Sequence, residues 1–321
     1  MPANIADLTD MLPAPYLCTM HLGQEEKLEH IRQGDIRALA RAISLIENDI
    51  EDYSPLLAHL PPSTVKIIGV TGPPGAGKST LVDALIGHAI ARQKKVAVLC
   101  VDPSSSLYFG ALLGDRIRMS EWYNHPDVYI RSLSTRGSLG GLNPRIIGIT
   151  DLLKTAPFDD IIIETVGVGQ NEIEIAGLAD STIVVLAPEA GDDIQSMKAG
   201  LMEIADIFVV NKSDRPDADL FVHHLRSMQS PAFRREARDV PIIKTVATER
   251  QGIDELASAI RKSLEREDHS SRRYRMLAEC AYLLIQQDRM KGVSRQELAE
   301  KIEASMKAGS FNLYRFVASF T

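Results

Sequence analysis

The residues Gly72-Pro73-Pro74-Gly75-Ala76-Gly77-Lys78-Ser79, followed by Thr80, follow the spacing G-x-x-x-x-G-K-[ST]. The chemistry this spacing serves is polyphosphate binding. Glycines let the main chain wrap closely around phosphate oxygens with successive N–H groups turned inward. A helix beginning at the lysine adds the positive end of its dipole. Lys78 brings a full charge to the β- and γ-phosphates, and the Ser79 hydroxyl is a ligand for Mg²⁺. The pattern carries this meaning only between a strand and a helix. Here an apolar run over residues 65–70 precedes it, and residues 78 to about 92 read as a helix.

A second set of residues reads a base. Asn211-Lys212-Ser213-Asp214 ends the apolar run 207–210 and matches N-K-x-D, the guanine-reading pattern of P-loop proteins. The Asp214 carboxylate accepts from guanine N1–H and from the exocyclic amine. Adenine offers neither arrangement and leaves a partly buried charge unpaired. Asn211 bridges base and loop, and the Lys212 stem packs on the ring. Thr245, Val246, Ala247 and Thr248 end the next strand, and the backbone amides of this segment are expected to meet guanine O6. Two acidic strand ends, Asp102 and Glu164, are candidates to join Ser79 in holding Mg²⁺, which takes a few oxygen ligands and keeps several waters. Gly167 is placed to offer its N–H to the γ-phosphate and so to sense hydrolysis. Small Ras-like GTPases orient water with a glutamine directly after that glycine. Val168 stands there and Gln170 comes later, so slow intrinsic hydrolysis is expected.

These residues need a scaffold that brings distant segments to one edge. Strands are expected at 66–70, 96–101, 128–131, 161–165, 182–186, 207–210 and 242–245, with helical stretches between them. Nearly continuous β-branched runs imply strands buried on both faces, hence a mainly parallel sheet sandwiched by helices. In such a sheet ligands bind beyond the C-terminal strand ends, where these motifs fall. The predicted fold is an α/β P-loop NTPase with three parts: an N-terminal helical extension over 1–62, a G domain over 63–267 and a helical arm over 268–321. In the extension, apolar stripes run on either side of Gly34-Asp35, and Asp35 is the expected N-cap of the second helix. In the arm, Ser294-Arg295-Gln296-Glu297 is a capping box and the tail bunches Phe311, Tyr314, Phe316 and Phe320.

Composition narrows the class. The chain has 321 residues, 45% hydrophobic and 25% charged, as in ordinary globular proteins. A net charge of −7 argues against a general nucleic-acid binder. Cys18, Cys100 and Cys280 are far apart and form no C-x-x-C, as suits a reducing compartment. No apolar run reaches membrane-spanning length, and an acidic start lacks the pattern of a signal peptide, so a cytoplasmic protein is expected.

Taken together the motifs resemble one family, the MeaB/ArgK-type GTPases of the SIMIBI class. The resemblance covers roughly residues 25–270. Besides the two nucleotide motifs it rests on Gly34-Asp35-Ile36-Arg37-Ala38-Leu39-Ala40-Arg41, Asp102-Pro103-Ser104-Ser105, Leu113-Gly114-Asp115-Arg116-Ile117-Arg118-Met119, Thr135-Arg136-Gly137-Ser138-Leu139-Gly140-Gly141, Glu164-Thr165-Val166-Gly167-Val168-Gly169-Gln170 and Gly191-Asp192-Asp193-Ile194-Gln195 with Lys198. It implies a homodimeric, Mg²⁺-dependent GTPase that cycles between GTP and GDP. Such a protein gates cofactor loading and protects an adenosylcobalamin-dependent acyl-CoA mutase, typically methylmalonyl-CoA mutase. By the same resemblance Lys78, Asp102, Asp115, Glu164 and Lys198 make the catalytic set. Residues 102–119 and 164–170 are switches I and II, and residues 191–198 a third switch. Arg118, Gln170, Asp192 and Lys198 couple these to the partner, and the C-terminal helices form a dimerisation arm. The chain departs from the family at Phe109, Val246 and Asn312-Leu313-Tyr314. The acyl-CoA substrate of the mutase stays open, with isobutyryl- and 2-hydroxyisobutyryl-CoA as alternatives.

Three other functions compete. A nickel-inserting SIMIBI GTPase usually carries histidine tracts or cysteine pairs. Here eight histidines are scattered, with only His223-His224 adjacent. A small-molecule kinase needs an acceptor pocket and has no use for N-K-x-D. The third is a GTP-binding scaffold without turnover.

Overall fold

The computed structural model describes residues 23–48, 53–102, 119–134, 144–165, 176–188, 199–229, 240–265, 270–290, 292–309 and 311–319. The chain divides into two compact units, one ending at Arg273 and the other Tyr274–Thr321.

The first unit is built on a seven-stranded parallel sheet. Its strands are β1 (Lys66–Thr71), β2 (Val96–Asp102), β3 (Val128–Ser134), β4 (Asp160–Thr165), β5 (Ser181–Leu186), β6 (Ile207–Val210) and β7 (Ile242–Lys244). They coincide with the runs expected from sequence to within a residue or so, except that β3 continues three residues further. Their order across the sheet is β3-β2-β4-β1-β5-β6-β7. Period-two alternation sorts side chains to the two faces. Ile68, Val70, Val98 and Ile162 join one core, and Ile67, Leu99, Ile161 and Ile163 the other. Such strands read as continuous apolar runs because neither face meets water.

Helices cover both faces. Following chain order, α1 is Gln24–Arg32, α2 Ile36–Asn48, α3 Ser54–Ala58, α4 Lys78–Ile90, α5 Pro144–Leu153, α6 Ala199–Ile204, α7 Ala218–Met228 and α8 Ile253–Leu264. Leu81, Leu85 and Ile86 of α4 pack with Leu256 and Ile260 of α8 over the first face. On the other face Leu28 and Ile31 of α1 and Leu39, Ile43 and Ile46 of α2 join Ile149 and Leu152 of α5. The N-terminal helices therefore cover the sheet itself. Each fully buried isoleucine of α2 contributes about 1.5–3 kcal/mol on leaving water. As expected, Asp35 starts α2: its Oδ1 accepts from Arg37 N–H (2.9 Å) and Ala38 N–H (3.0 Å).

The second unit holds most of α9 (Ser270–Arg289), with α10 (Arg295–Lys307) and α11 (Leu313–Ala318). Ser294 caps α10 by accepting from Glu297 N–H, and Asn312 caps α11 by accepting from Arg315 N–H. Phe311 and Phe316 pack ring to ring, 6.0 Å between centroids. No helix among the described residues is long and apolar enough to cross a membrane.

Candidate nucleotide-binding site

The phosphate loop leaves the C-terminal end of β1, the strand between β4 and β5. Its glycines are required by space as much as by conformation. A Cβ on Gly72 would lie 2.1 Å from the Val185 carbonyl oxygen of β5, and Gly72 has φ +138°. Gly77 has φ +90°, and a Cβ there would lie 2.3 Å from Asn211 Nδ2. Both positions exclude side chains because the loop is pressed against neighbouring strand ends. Pro74 and Gly75 stand exposed at the loop tip.

Lys78 and Ser79 open α4, and both are buried. Lys78 Nζ donates to the carbonyls of Gly72 (2.9 Å) and Pro73 (3.0 Å), so the ammonium lies inside the loop. Ser79 Oγ donates to Glu164 Oε1 at 2.6 Å. Glu164 is 4% exposed and sits in β4 with Val70 of β1 as its register partner. A hydroxyl and a carboxylate held together beside a phosphate loop are the hard-oxygen donors that Mg²⁺ takes. The residues present thus fit the ion, with Ser79 and Glu164 to hold it. Asp102 ends β2, which lies two strands from β1 with β4 between them.

A buried hydroxyl pair missed by sequence reasoning underlies the loop. Thr165 Oγ1 donates to Thr71 Oγ1 at 2.9 Å, joining the last residue of β4 to the residue before Gly72. Only the pairing of β1 with β4 brings them together, and neither threonine stands out in a linear reading.

At the base end, Asn211 is 3% exposed and its side chain bonds three groups in two segments. Nδ2 donates to the Ala76 carbonyl of the phosphate loop (3.0 Å), and Oδ1 accepts from Thr245 Oγ1 and from Ala247 N–H, both 3.1 Å. Thr245 lies in the segment expected to form the base loop, but the sequence reading gave its hydroxyl no role. Lys212 takes φ +56°, and Asp214 is exposed next to it. The amides expected to face guanine O6 are partly committed. Val246 N–H donates to the Gln251 carbonyl (3.2 Å), and Ala247 N–H is the one held by Asn211. A contact from either amide to a base would replace an existing bond. Thr248 is exposed in the short 3-10 turn Ala247–Glu249.

The structure thus assembles Gly72 to Thr80, Glu164, Asn211 to Asp214 and Val246 to Thr248 at one edge of the sheet. Asp115, Arg118, Gly167, Gln170, Asp192 and Lys198 lie outside the described residues, and for Asp102 only the backbone position is described.

A parallel sheet with this strand order, a phosphate loop on β1 and an N-K-x-D turn after β6 define a P-loop NTPase built for guanine nucleotides. The profile of the methylmalonyl-CoA mutase-associated GTPase MeaB matches residues 39–302, and the chain belongs to that family. A protein of Pyrococcus abyssi that bears the name of a GTPase is 43% identical over 292 residues, covering 89% of each chain. A fused isobutyryl-CoA mutase of Geobacillus kaustophilus is 35% identical over 239 residues, which are 70% of this chain and 22% of that longer protein. Among solved structures, the LAO/AO transport system kinase superposes with a TM-score of 0.64 at 27% identity, covering 92% of this chain and 95% of that one.

Proposed function

We propose that this MeaB-family GTPase binds GTP with Mg²⁺ and uses slow, partner-stimulated hydrolysis to GDP to gate cofactor loading of an adenosylcobalamin-dependent acyl-CoA mutase. The observation that carries the nucleotide chemistry is the 2.6 Å bond between Ser79 and Glu164 beside the Lys78 ammonium. Bound Mg²⁺ would supply positive charge against the phosphates. Lys78 would exchange its carbonyl partners for phosphate oxygens. Asp214 would pair with the guanine edge while Asn211 keeps the base loop tied to the phosphate loop. The partner reading is supported by the family's name, that of a methylmalonyl-CoA mutase-associated GTPase, and by the matching relative named as a fused isobutyryl-CoA mutase. That fusion favours a mutase over nickel insertion.

On this reading Asp102, Asp115 and Lys198 complete the catalytic set, Gly167 senses the γ-phosphate, and Arg118, Gln170 and Asp192 relay the partner's presence. The protein would act in the cytoplasm as a homodimer. Support for pairing comes from the second unit, where Leu277, Leu284, Ile285, Met290 and Met306 are all exposed. A segment this short cannot bury such side chains by itself. The test is phosphate release from GTP by the purified protein, alone and with cobalamin-dependent mutases of each acyl-CoA class. Acceleration by one mutase, absent in Glu164→Gln, is the expected result. No acceleration by any of them, with normal GTP turnover, would sink the partner reading.

A further inference from the structure

At the opposite end of the strands from the phosphate loop, a cavity of about 70 Å³ opens between α4 and α8. Its floor is apolar: Ile68, Leu85, Val96, Ile162, Ile260 and Leu264. Its rim is cationic, with Arg92, Lys94 and Arg261 against one acid, Asp160. Lys94 and Asp160 neutralise each other at 2.8 Å. Arg92 reaches Asp254, which does not line the cavity, at 3.2 Å. Arg261 donates to Ser258 Oγ at 3.1 Å and makes no ion pair among the described residues. The rim thus holds a guanidinium with no carboxylate partner among the described residues, above an apolar floor. His88, also in the lining, is neutral or positive and so supplies no counter-charge. Burial first, then Arg92, Arg261 and Lys94, hold its imidazole below the ordinary value, against the opposing pull of Asp254.

We propose that this cavity is a binding site for a small monocarboxylate with a short apolar tail, the tail on the isoleucine and leucine floor and the carboxylate on Arg261. A planar guanidinium is matched to a carboxylate by two parallel hydrogen bonds. A cavity of about 150 Å³ takes the six carbons of benzene, so this one accommodates roughly three carbons of tail. The site lies between the helix that begins with Lys78 and Ser79 and the helix that follows the base loop. An occupant therefore touches both nucleotide-bearing elements from behind.

The test is calorimetric titration of the nucleotide-free full-length protein with n-alkyl carboxylates from acetate to hexanoate, with pentanamide and pentylammonium as controls. Affinity should rise about fourfold per added methylene and stop rising once the floor is covered. Pentanamide and pentylammonium should bind far more weakly than pentanoate. Arg261→Gln, an exposed position that does not endanger folding, should lower affinity about tenfold or more and leave the methylene increment intact. Ala257→Leu, which fills the lining, should abolish that increment. Undetectable binding of pentanoate, equal binding of pentylammonium, or unchanged affinity in Arg261→Gln would each overturn the assignment.

Discussion

Replacing Asn211 by alanine should destabilise the protein even without nucleotide, because Asn211 is a structural tie as well as a base reader. Its side chain holds the Ala76 carbonyl, the Thr245 hydroxyl and the Ala247 N–H together at 3.0–3.1 Å in a buried position. Alanine leaves one acceptor and two donors behind. The Thr245 hydroxyl can turn to another partner, but the two backbone groups cannot. Each buried group left unsatisfied costs about 1–3 kcal/mol, and water entering the space recovers part of it, so the net loss is about 2–4 kcal/mol. For a domain of this size that lowers Tm by roughly 5–15 °C. Gly77→Ala should act on the same tie without removing any polar group, since its Cβ would lie 2.3 Å from Asn211 Nδ2. The assay is calorimetric melting of the nucleotide-free proteins, followed by titration with a fluorescent GTP analogue. Both variants should melt early and bind GTP weakly. An Asn211→Ala protein that melts within about 2 °C of the parent would refute the tie and leave Asn211 with a role in base contact alone.

Further expectations follow from the same geometry. Lys78→Ala should abolish tight GTP binding in equilibrium titration, because the loop then lacks the ammonium now resting on the Gly72 and Pro73 carbonyls. Asp214→Asn should weaken GTP roughly 10- to 150-fold and favour xanthosine triphosphate in competition experiments, as loss of a charge-assisted pair predicts. A chain ending at about residue 268 should be monomeric by light scattering and still bind GTP, since every residue assigned to the nucleotide site precedes that point. His88 has a lowered pKa in the folded state, so the unfolded chain takes up its proton first as pH falls. Its stabilising contribution is complete above about pH 6.5 and is lost as pH drops from there through the folded value. Urea midpoints at about pH 7.5 and 5.5 should differ less in His88→Gln than in the parent.

Much of the fold was legible because its signals are local. Each strand is a short apolar, mostly β-branched run, with β1, β2 and β4 alternating between two cores, and Asp35 and Ser294 announce their helices by capping them. Glycine at positions 72, 75 and 77 with Lys78 and Ser79 needs only its flanking strand and helix to be recognised as a phosphate loop. Local spacing could not rank the two acidic strand ends. Asp102 and Glu164 look alike in sequence, each closing an apolar strand, and strand order separates them. β4 is inserted between β1 and β2, which sets Glu164 against Ser79 and leaves Asp102 one strand further out. The same insertion pairs Thr71 with Thr165.

The base loop shows the complementary case. The types Asn211, Lys212 and Asp214 were enough to name guanine, because a carboxylate and an amide at that spacing match its edge and no other purine's. That Asn211 would spend its hydrogen bonds on Ala76, Thr245 and Ala247, and so occupy an amide expected to face the base, was not written in any local pattern. Residue types and spacing determine which chemical groups are available. Which of them meet, and which are already satisfied, depends on the order in which parallel strands pack, because hydrogen bonds form between whatever groups the sheet brings within three ångströms.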